Sequence, residues 1–472
     1  MLVLPASASQ KETEKKDSPV KEHLQNHFKL YGFIRNFFVY DSRDSKAGTG
    51  DLFYYLPLDN KWNTADVNDP AREDLNASPN FRFLALTSRV GFDVSGYYIN
   101  NLHFGAKIEG DFYSGLAAAK TATGLSGNTS VSGTAQARLR QAYVTLTWKD
   151  LPMHGEKTAQ VGLKMGQAWH PMAADMPHVF SLEAGAPFGP FSRTPQVTMD
   201  AALGEHWILS AAAIWQQQYQ SAGPDGASAA YMKYGCTPEI YAGVTVKGKE
   251  VLFRGGVDVV SIKPRNVGQN ADGLMVHVKD RKTSVLGYVY GQYNHKLLSI
   301  KAKTTFGEGG EHMNLMSGYA VVDKTDPTNW KYASMVNSSS WLSLCYGKKW
   351  QGVLYLGYVK NFGLAKTAGK QLAKEDVYFC GNGFSNINQM YRINPQLLYN
   401  LGKFTLGLEY QWTAVQYGSY QSVSRLNNEG QPVLNKDGKP IVDKCLSGRA
   451  LATDNLHWVG NNRVNMMVKF TF

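Results

Sequence analysis

Two stretches decide the fold: residues 403–412 read KFTLGLEYQW, and the last ten residues, 463–472, read RVNMMVKFTF. In both, apolar side chains alternate with polar or small ones, with Met467 as the one exception, so an extended chain presents one apolar and one mainly polar face. The residues of the apolar face are Phe404, Leu406, Leu408, Tyr410 and Trp412 in the first stretch and Val464, Met466, Val468, Phe470 and Phe472 in the second. A period of two predicts β-strands rather than helices.

The same alternation extends over the chain from residue 28 onward. It predicts sixteen strands at approximately residues 28–41, 81–95, 102–113, 136–148, 159–170, 196–203, 206–217, 238–248, 250–261, 283–293, 297–307, 339–347, 351–362, 389–400, 403–415 and 457–472.

The connections between these segments alternate between long and short. The long ones are residues 42–80, 114–135, 171–195, 218–237, 262–282, 308–338, 363–388 and 416–456. Soluble sandwiches carry loops of mixed length at both ends, whereas outer-membrane barrels have tight turns on one side and long loops on the other. Lipid also requires a closed sheet, because it cannot satisfy unpaired backbone groups. The pattern predicts an all-β protein, a transmembrane antiparallel β-barrel of about sixteen strands. It would have short periplasmic turns, long extracellular loops and a water-filled lumen.

Composition agrees with a membrane barrel. The chain has 472 residues, of which 18% are charged, below the roughly 25% of soluble domains. The longest apolar stretch, residues 207–215, is far shorter than the ~20 residues of a spanning helix, whereas a transmembrane strand needs only ~9–11. Lys and Arg exceed Asp and Glu by 49 to 38, giving +11. That excess indicates either a solvated basic surface or an anion-attracting channel. Zinc-finger spacing and dense basic clusters are missing, which argues against nucleic acid as a partner.

Aromatic residues mark the predicted strand ends. Trp148, Trp207 and Trp350 lie beside short turns, and Trp169, Trp215, Trp412 and Trp458 lie near long loops. Two such rows are typical of interfacial girdles, although aromatics also favour strands in general. The chain ends in Phe472, the usual assembly signal of such barrels.

Two regions are expected along the chain. Residues 1–27 would be a signal-peptide remnant followed by a short polar segment, because Ala6-Ser7-Ala8 has the small-x-small pattern of a cleavage site. Residues 28–472 would form the barrel. The alternative for the first residues is an ordinary terminus.

Several stretches resemble the trimeric porins of Gram-negative bacteria, in particular the DcaP-like group. They are residues 29–43 (KLYGFIRNFFVYDSR), 84–96 (LALTSRVGFDVSG), 107–115 (KIEGDFYSG), 138–148 (RLRQAYVTLTW), 166–172 (GQAWHPM) and 185–197 (GAPFGPFSRTPQV). The resemblance covers the first ~200 residues and implies a sixteen-stranded barrel, a homotrimer, and a third long loop folded into the pore. Members often carry an N-terminal coiled coil, but residues 10–27 lack a heptad run.

A porin selects solutes at its constriction, through charged side chains and a narrowed path. Strand alternation points a set of basic side chains into the lumen from the first five strands: Arg35, Arg89, Lys107, Arg138, Arg140 and Lys164. Arg138 and Arg140 conflict in phase with Ala142, Val144 and Leu146, so we expect a bulge near Gln141. The alternative is that these are ordinary lumen charges without selectivity.

We expect loop 171–195 to form the facing wall, with Asp175, Glu183 and Arg193 as its charges. Its glycines and prolines between residues 185 and 190 favour a compact turn. An ordinary external loop is the alternative. Cys380 and Cys445 lie in the last two long loops and are the candidate disulfide pair in an oxidising compartment.

These features predict a non-enzymatic porin in the outer membrane. It would conduct small hydrophilic solutes passively, with a preference for anions, in contact with lipid and lipopolysaccharide. The alternatives are a selective channel with a saturable site for dicarboxylates or sugar acids, and, less favoured, a barrel enzyme or adhesin. We expect no cofactor, and no metal, because the histidines are scattered without His-x-x-x-His or Cys-x-x-Cys spacing. A TonB-dependent transporter would need a longer chain.

Overall fold

The computed structural model describes residues 27–48, 53–84, 88–114, 135–153, 158–181, 183–369, 371–380, 386–427 and 429–472. Residues 1–26, with the predicted signal-peptide remnant and nearly all of the polar segment, lie outside this set. The first strand begins at Phe28 and the last ends at Thr471.

Sixteen strands form the barrel. They are β1 (Phe28–Asp41), β2 (Arg89–Ile99, preceded by the segment Asn80–Leu84), β3 (Leu102–Ser114), β4 (Ala135–Pro152), β5 (Thr158–Trp169), β6 (Arg193–Leu203), β7 (Trp207–Ile214), β8 (Glu239–Lys247), β9 (Val251–Ile262), β10 (Lys282–His295), β11 (Leu298–Glu308), β12 (Lys331–Gly347), β13 (Trp350–Leu364), β14 (Ile387–Leu401), β15 (Phe404–Ser419) and β16 (Asp454–Thr471). Each pairs antiparallel with the next, and β1 pairs with β16, so the sheet closes. The predicted fold class is confirmed.

Every predicted strand segment corresponds to one barrel strand. The largest difference is β12, which begins at Lys331 instead of residue 339 because its first residues pair with the loop strand Gly318–Asp323. Those residues read KYASMVNS, in which Tyr332, Ala333, Met335 and Val336 do not follow a regular period of two, so the apolar alternation does not reveal them.

The barrel has the reverse polarity of a soluble protein, with apolar side chains outside and polar side chains inside. On β15, Leu406 and Leu408 are 44% and 49% exposed, whereas Glu409 between Leu408 and Tyr410 is 0% exposed. On β16, Met466 is 55% exposed and Arg463 is 4% exposed. Apolar side chains therefore face outward, where lipid would cover them, and polar side chains face the lumen.

Closure brings the chain terminus to the first strand. The Phe472 backbone N–H donates to Gly32 O at 3.1 Å, and the Gly32 N–H donates to Phe472 O at 3.2 Å. The Phe472 ring occupies the space where a Cβ on residue 32 would stand, because that Cβ would be 2.6 Å from Cζ. A glycine is therefore required beneath the terminal ring.

Tight turns join the strands at one end. Asn100 and Gly402 adopt positive φ angles of 54° and 59° in two of these turns, a backbone region that Asn and Gly tolerate best. Trp207 and Trp350 beside this end are 52% and 58% exposed, as expected for an interfacial girdle. Trp169 is different, because it points into the lumen beneath arginine side chains.

The long connections at the other end carry small elements. They are the strands Ser45–Gly48, Phe53–Pro57, Val267–Gln269, Met275–His277, Gly318–Asp323, Leu372–Ala373, Val377–Phe379, Gln421–Ser424 and Val442–Leu446, the helix Ala230–Gly235, and the 3-10 turns Pro171–Ala173, Glu311–Met313 and Lys374–Asp376. Within the described ranges, no helix combines the length and apolar character that crossing a membrane requires.

The predicted disulfide is not formed. The Sγ of Cys380 lies 3.4 Å from Glu311 O, whereas Cys445 lies on the strand Val442–Leu446, opposite Ala373 and Gln421. Cys380 packs in the lumenal core and Leu446 beside Cys445 packs in a separate cluster. Sequence position in neighbouring loops does not bring the two thiols together.

Candidate channel constriction

The chain between β5 and β6, residues 171–192, folds into the lumen; we call it the constriction loop. Lys303 on β11 donates to the carbonyl oxygens of Met172 and Asp175 at 2.8 and 2.6 Å. Tyr355 on β13 donates to Gly185 O at 2.9 Å. The third long loop therefore crosses to the far wall, as predicted.

Apolar packing seats the loop on that far wall. Met172, Phe188 and Phe191 are buried in one cluster with lumen-facing aromatics, Tyr241, Tyr288, Tyr290, Trp341 and Tyr355. Phe188 would contact any Cβ added at Gly357 at 2.5 Å, so a glycine on β13 makes room for its ring. This cluster fills the lumen beside β8–β14.

Buried and half-buried ion pairs fix the loop as well. Glu183 is 2% exposed and lies 3.3 Å from Arg392 on β14 and 3.3 Å from Arg463 on β16. Gln411 Nε2 donates to the same Glu183 oxygen at 3.0 Å. Asp175 pairs with Arg254 on β9 at 2.5 Å.

These pairs correct one expectation. Asp175 and Glu183 were predicted to be charges of a wall facing the first strands, but both bind cations elsewhere. A loop placed inside a barrel must pair its buried carboxylates, since leaving them unpaired costs several kcal/mol. Their negative charge is therefore compensated by Arg254, Arg392 and Arg463.

On that opposite side lies a cavity of about 200 Å³. Five arginines line it: Arg35, Arg89, Arg138, Arg140 and Arg193. Across from them the constriction loop presents Met176, Val179, Ser181 and Ala184, together with Phe191. We call these residues the arginine cavity. It combines a basic wall with a largely uncharged one.

Two carboxylates on β3 organise the arginines. Arg138 makes a bidentate pair with Asp111, with Nε and Nη2 each 2.8 Å from an oxygen. Arg140 bridges Glu109 at 2.8 Å and Asp111 at 2.5 Å, and Arg89 lies 3.7 Å from Glu109. Among the described residues of the cavity, five formal positive charges thus meet two negative ones, which leaves a cationic excess.

A β-bulge allows this arrangement. Glu109 pairs with Gln141 and the next residue, Gly110, pairs with Leu139, so Arg140 is the extra residue on β4. The bulge keeps Arg138 and Arg140 inward while Val144 is 47% exposed on the outer face. The bulge expected near Gln141 is confirmed.

Trp169 supports the other end of the cavity. The guanidinium of Arg193 lies 4.9 Å and that of Arg140 lies 5.8 Å from its ring centroid, distances at which cation–π attraction operates. Gln218 accepts from the Arg193 backbone N–H and Nε, both at 3.0 Å. The ring and the amide hold Arg193 in place.

Two predicted basic residues lie outside this cavity. Lys107 pairs with Asp93 at 2.7 Å and donates to Tyr31 Oη at 2.9 Å. Lys164 lines a separate cavity of about 530 Å³ near the short turns, with Asp200 and Arg254. All six basic side chains predicted on the first five strands face the lumen, but they do not form one cluster.

The residues that anchor the loop, Lys303, Arg254, Arg392 and Arg463, were not predicted as site residues. Strand alternation places such residues inward, and Lys303 and Arg463 fall on the polar faces of their segments. Nothing local in the sequence indicates that their partners lie on the loop, because Arg463 and Glu183 are 280 positions apart.

One loop side chain has a perturbed acid–base equilibrium. Burial, and secondarily the charge of Lys301, lower the pKa of His178 to about 4. The neutral ring shares a 3.0 Å hydrogen bond with Ser299 Oγ, while its backbone N–H donates to Ser343 Oγ at 2.9 Å. His178 is thus an uncharged anchor at neutral pH.

Comparison with known proteins assigns the fold. No protein-family model and no curated protein matches the chain. The outer-membrane channel DcaP of Acinetobacter baumannii superposes with a TM-score of 0.56 at 18% identity, over 94% of this chain and 97% of that one. The anion-selective porin from Comamonas acidovorans superposes with a TM-score of 0.50 at 9% identity, over 94% and 99%.

The fold is that of the outer-membrane porins, as the sequence resemblance to the DcaP-like group predicted. A closed barrel with an apolar outer face and a polar lumen is the structure by which β-proteins span an outer membrane. The protein is an integral outer-membrane barrel with the architecture of a channel.

Proposed function

We propose that this protein is a passive, water-filled diffusion channel of the outer membrane that favours small anions. It carries out no chemical step and needs no cofactor. The observation that carries the proposal is the arginine cavity, where five arginines meet two carboxylates beside an uncharged stretch of loop.

The electrostatics favour anions in two ways. The excess positive charge lies inside a low-dielectric wall, which raises the local concentration of anions. The acidic residues of the constriction loop are compensated by Arg254, Arg392 and Arg463, so they do not oppose it. Charged side chains at a narrow point are the means by which pores select ions.

A second candidate is a channel with a saturable site for dicarboxylates or sugar acids. One observation favours it: Arg138 and Arg140 already hold a carboxylate, that of Asp111, through paired N–H donors. Arginine forks recognise carboxylates in this bidentate manner. A solute carboxylate could compete for the outer faces of the same guanidinium groups.

Single-channel recording separates the two candidates. We would record chloride currents through the purified protein in planar bilayers while adding succinate or gluconate. A simple diffusion channel shows currents that change in proportion to the added salt, whereas a saturable site shows concentration-dependent block. Absence of any conductance steps would contradict both.

We further propose a homotrimer, embedded in phospholipid and lipopolysaccharide. The proposal follows from the sequence resemblance to trimeric porins. Light scattering of the detergent-solubilised protein, corrected for bound detergent, would give three chains per particle. A stable single chain in mild detergent would contradict it.

A further inference from the structure

Four buried ionisable side chains meet at the base of the constriction loop. His170 directly precedes the loop, Glu239 opens β8, Asp258 lies on β9, and His312 lies in the 3-10 turn Glu311–Met313. Their exposed fractions run from 0% to 3%. None of them takes part in the arginine cavity.

The hydrogen bonds of His170 define its protonation. The Met172 backbone N–H donates to His170 Nδ1 at 3.1 Å, so Nδ1 carries the lone pair. The proton of the neutral ring is therefore on Nε2, which lies 2.5 Å from Glu239 Oε1 and donates to it. His170 is a neutral donor here and does not compensate the charge of Glu239.

The remaining three side chains have unused ligand atoms. Among the described residues, both carboxylate oxygens of Asp258, Oε2 of Glu239 and both ring nitrogens of His312 have no hydrogen-bond partner. His312 Nε2 lies 3.4 Å from Glu239 Oε1 and 3.6 Å from Asp258 Oδ2. Buried polar atoms are normally satisfied, so these atoms are available to a further ligand.

Charge leads to the same conclusion. Across the part of the chain that the structure describes, neither Glu239 nor Asp258 forms an ion pair with Lys or Arg. The neighbouring Glu311 is already compensated by Lys282 at 3.0 Å. With His170 neutral, a protonated His312 would leave two carboxylates and one cation, whereas a divalent cation beside a neutral His312 balances both carboxylates.

We propose that Glu239, Asp258 and His312 bind one divalent transition-metal ion, with His170 as a positioning residue that orients Glu239. Zinc ligands stand about 2.0–2.2 Å from the metal, so two of them in a tetrahedron are about 3.3–3.6 Å apart. The 3.4 and 3.6 Å separations from His312 Nε2 come close to that range. A set of one imidazole and two carboxylates suits Zn²⁺ or Mn²⁺, and hydrogen-bond donors behind a ligating carboxylate are typical of metal sites.

The ion would join three parts of the channel. It ties the entry of the constriction loop to the wall at β8 and β9 and to the loop that follows β11. Its role is structural, because it fixes the loop base without contributing to the arginine cavity. The site does not depend on the proposed ion selectivity, so the two can fail independently.

Metal content provides the test. The full-length protein in detergent would be stripped with EDTA, dialysed against Zn²⁺ and then against metal-free buffer, and analysed by mass spectrometry for bound zinc. We expect about one Zn²⁺ per chain for the wild type and for the control H295Q, which alters an exposed histidine at the end of β10, away from the cluster and from the constriction loop. D258N and H312Q should lose it. Wild-type protein without bound zinc, or equal content in all four, would overturn the site.

Two further measurements guard against misfolded variants. The wild type should resist heat-induced unfolding better in Zn²⁺ than in EDTA and should not respond to Ca²⁺, which prefers six to eight oxygen ligands; no response to Zn²⁺ would refute the proposal. H170Q retains an N–H donor for Glu239, so it should keep the stoichiometry but weaken affinity about 10- to 100-fold. An unchanged affinity would remove His170 from the positioning role.

Discussion

Removing Arg138 and Arg140 together tests the arginine cavity. The R138A/R140A variant leaves three arginines beside Glu109 and Asp111, so the formal excess falls from three charges to one. A permeating ion about 7 Å from a unit charge gains about 0.6 kcal/mol in water, and screening at about 0.1 M salt roughly halves this. Two charges then change anion and cation energies by about 0.6 kcal/mol each, in opposite directions.

The expected result is about a sevenfold fall in the ratio of chloride to potassium permeability. We would measure it as the zero-current potential across a bilayer with a tenfold KCl gradient. At about 1 M salt the Debye length is ~3 Å, and the same comparison should shrink to about 1.5-fold. The salt dependence distinguishes an electrostatic effect from a change of pore shape.

Two controls sharpen this test. K436A/K439A removes the same charge from the exposed loop between β15 and β16 and should leave selectivity unchanged. E109Q/D111N removes the two carboxylates and should increase anion preference. An unaltered potential in R138A/R140A, with normal heat-modifiable migration, would refute the placement of these arginines on the conduction path.

Three other variants test the C-terminal residue, the Glu183 anchor of the loop and the loop histidine, His178. Deleting Phe472, whose backbone pairs with Gly32, should reduce insertion into the outer membrane, whereas F472Y should restore it; normal surface levels of the deletion would contradict an assembly role. E183Q leaves Arg392 without its buried countercharge and should destabilise the loop by about 3 kcal/mol, seen as a lower melting temperature and noisier current; an unchanged melting curve would contradict the anchor. Because the pKa of His178 falls to about 4 in the folded protein from ~6.5 when unfolded, the unfolded chain binds more protons between these values, and stability should fall from about pH 6.5 to pH 4. H178Q should show a smaller fall, and equal pH profiles would argue against the burial of this histidine.

The barrel could be predicted from the sequence because its physics is local. Each strand must show lipid one face and water the other, so the alternation around Leu408 and Glu409 is visible without any long-range information. The bulge on β4 was accessible for the same reason. Arg140 and Val144 are four residues apart and would lie on the same face of a regular strand. An inward Arg140 and an outward Val144 therefore require an irregularity in the strand.

The partners inside the lumen could not be predicted in this way. The sequence indicates that Asp175 and Glu183 are unpaired loop charges. In the fold they form ion pairs with arginines on distant strands, namely Arg254, Arg392 and Arg463. The same holds for His170 and His312, which look scattered along the chain but flank Glu239 in space. Long-range pairing depends on strand register and loop path, which no short motif records. Trp169 is a further example: its ring faces the lumen, where it lies beneath the guanidinium groups of Arg140 and Arg193.

The zero-current potential of the unmodified channel tests the central claim most directly. Purified wild-type protein would be inserted stepwise into a planar bilayer under a tenfold KCl gradient. The zero-current potential should have the sign expected when chloride is more permeant than potassium. Its size should decrease as the salt concentration on both sides is raised at constant ratio. A potential of the sign set by potassium, or a membrane that stays silent after insertion, would contradict a conducting barrel with a cationic constriction.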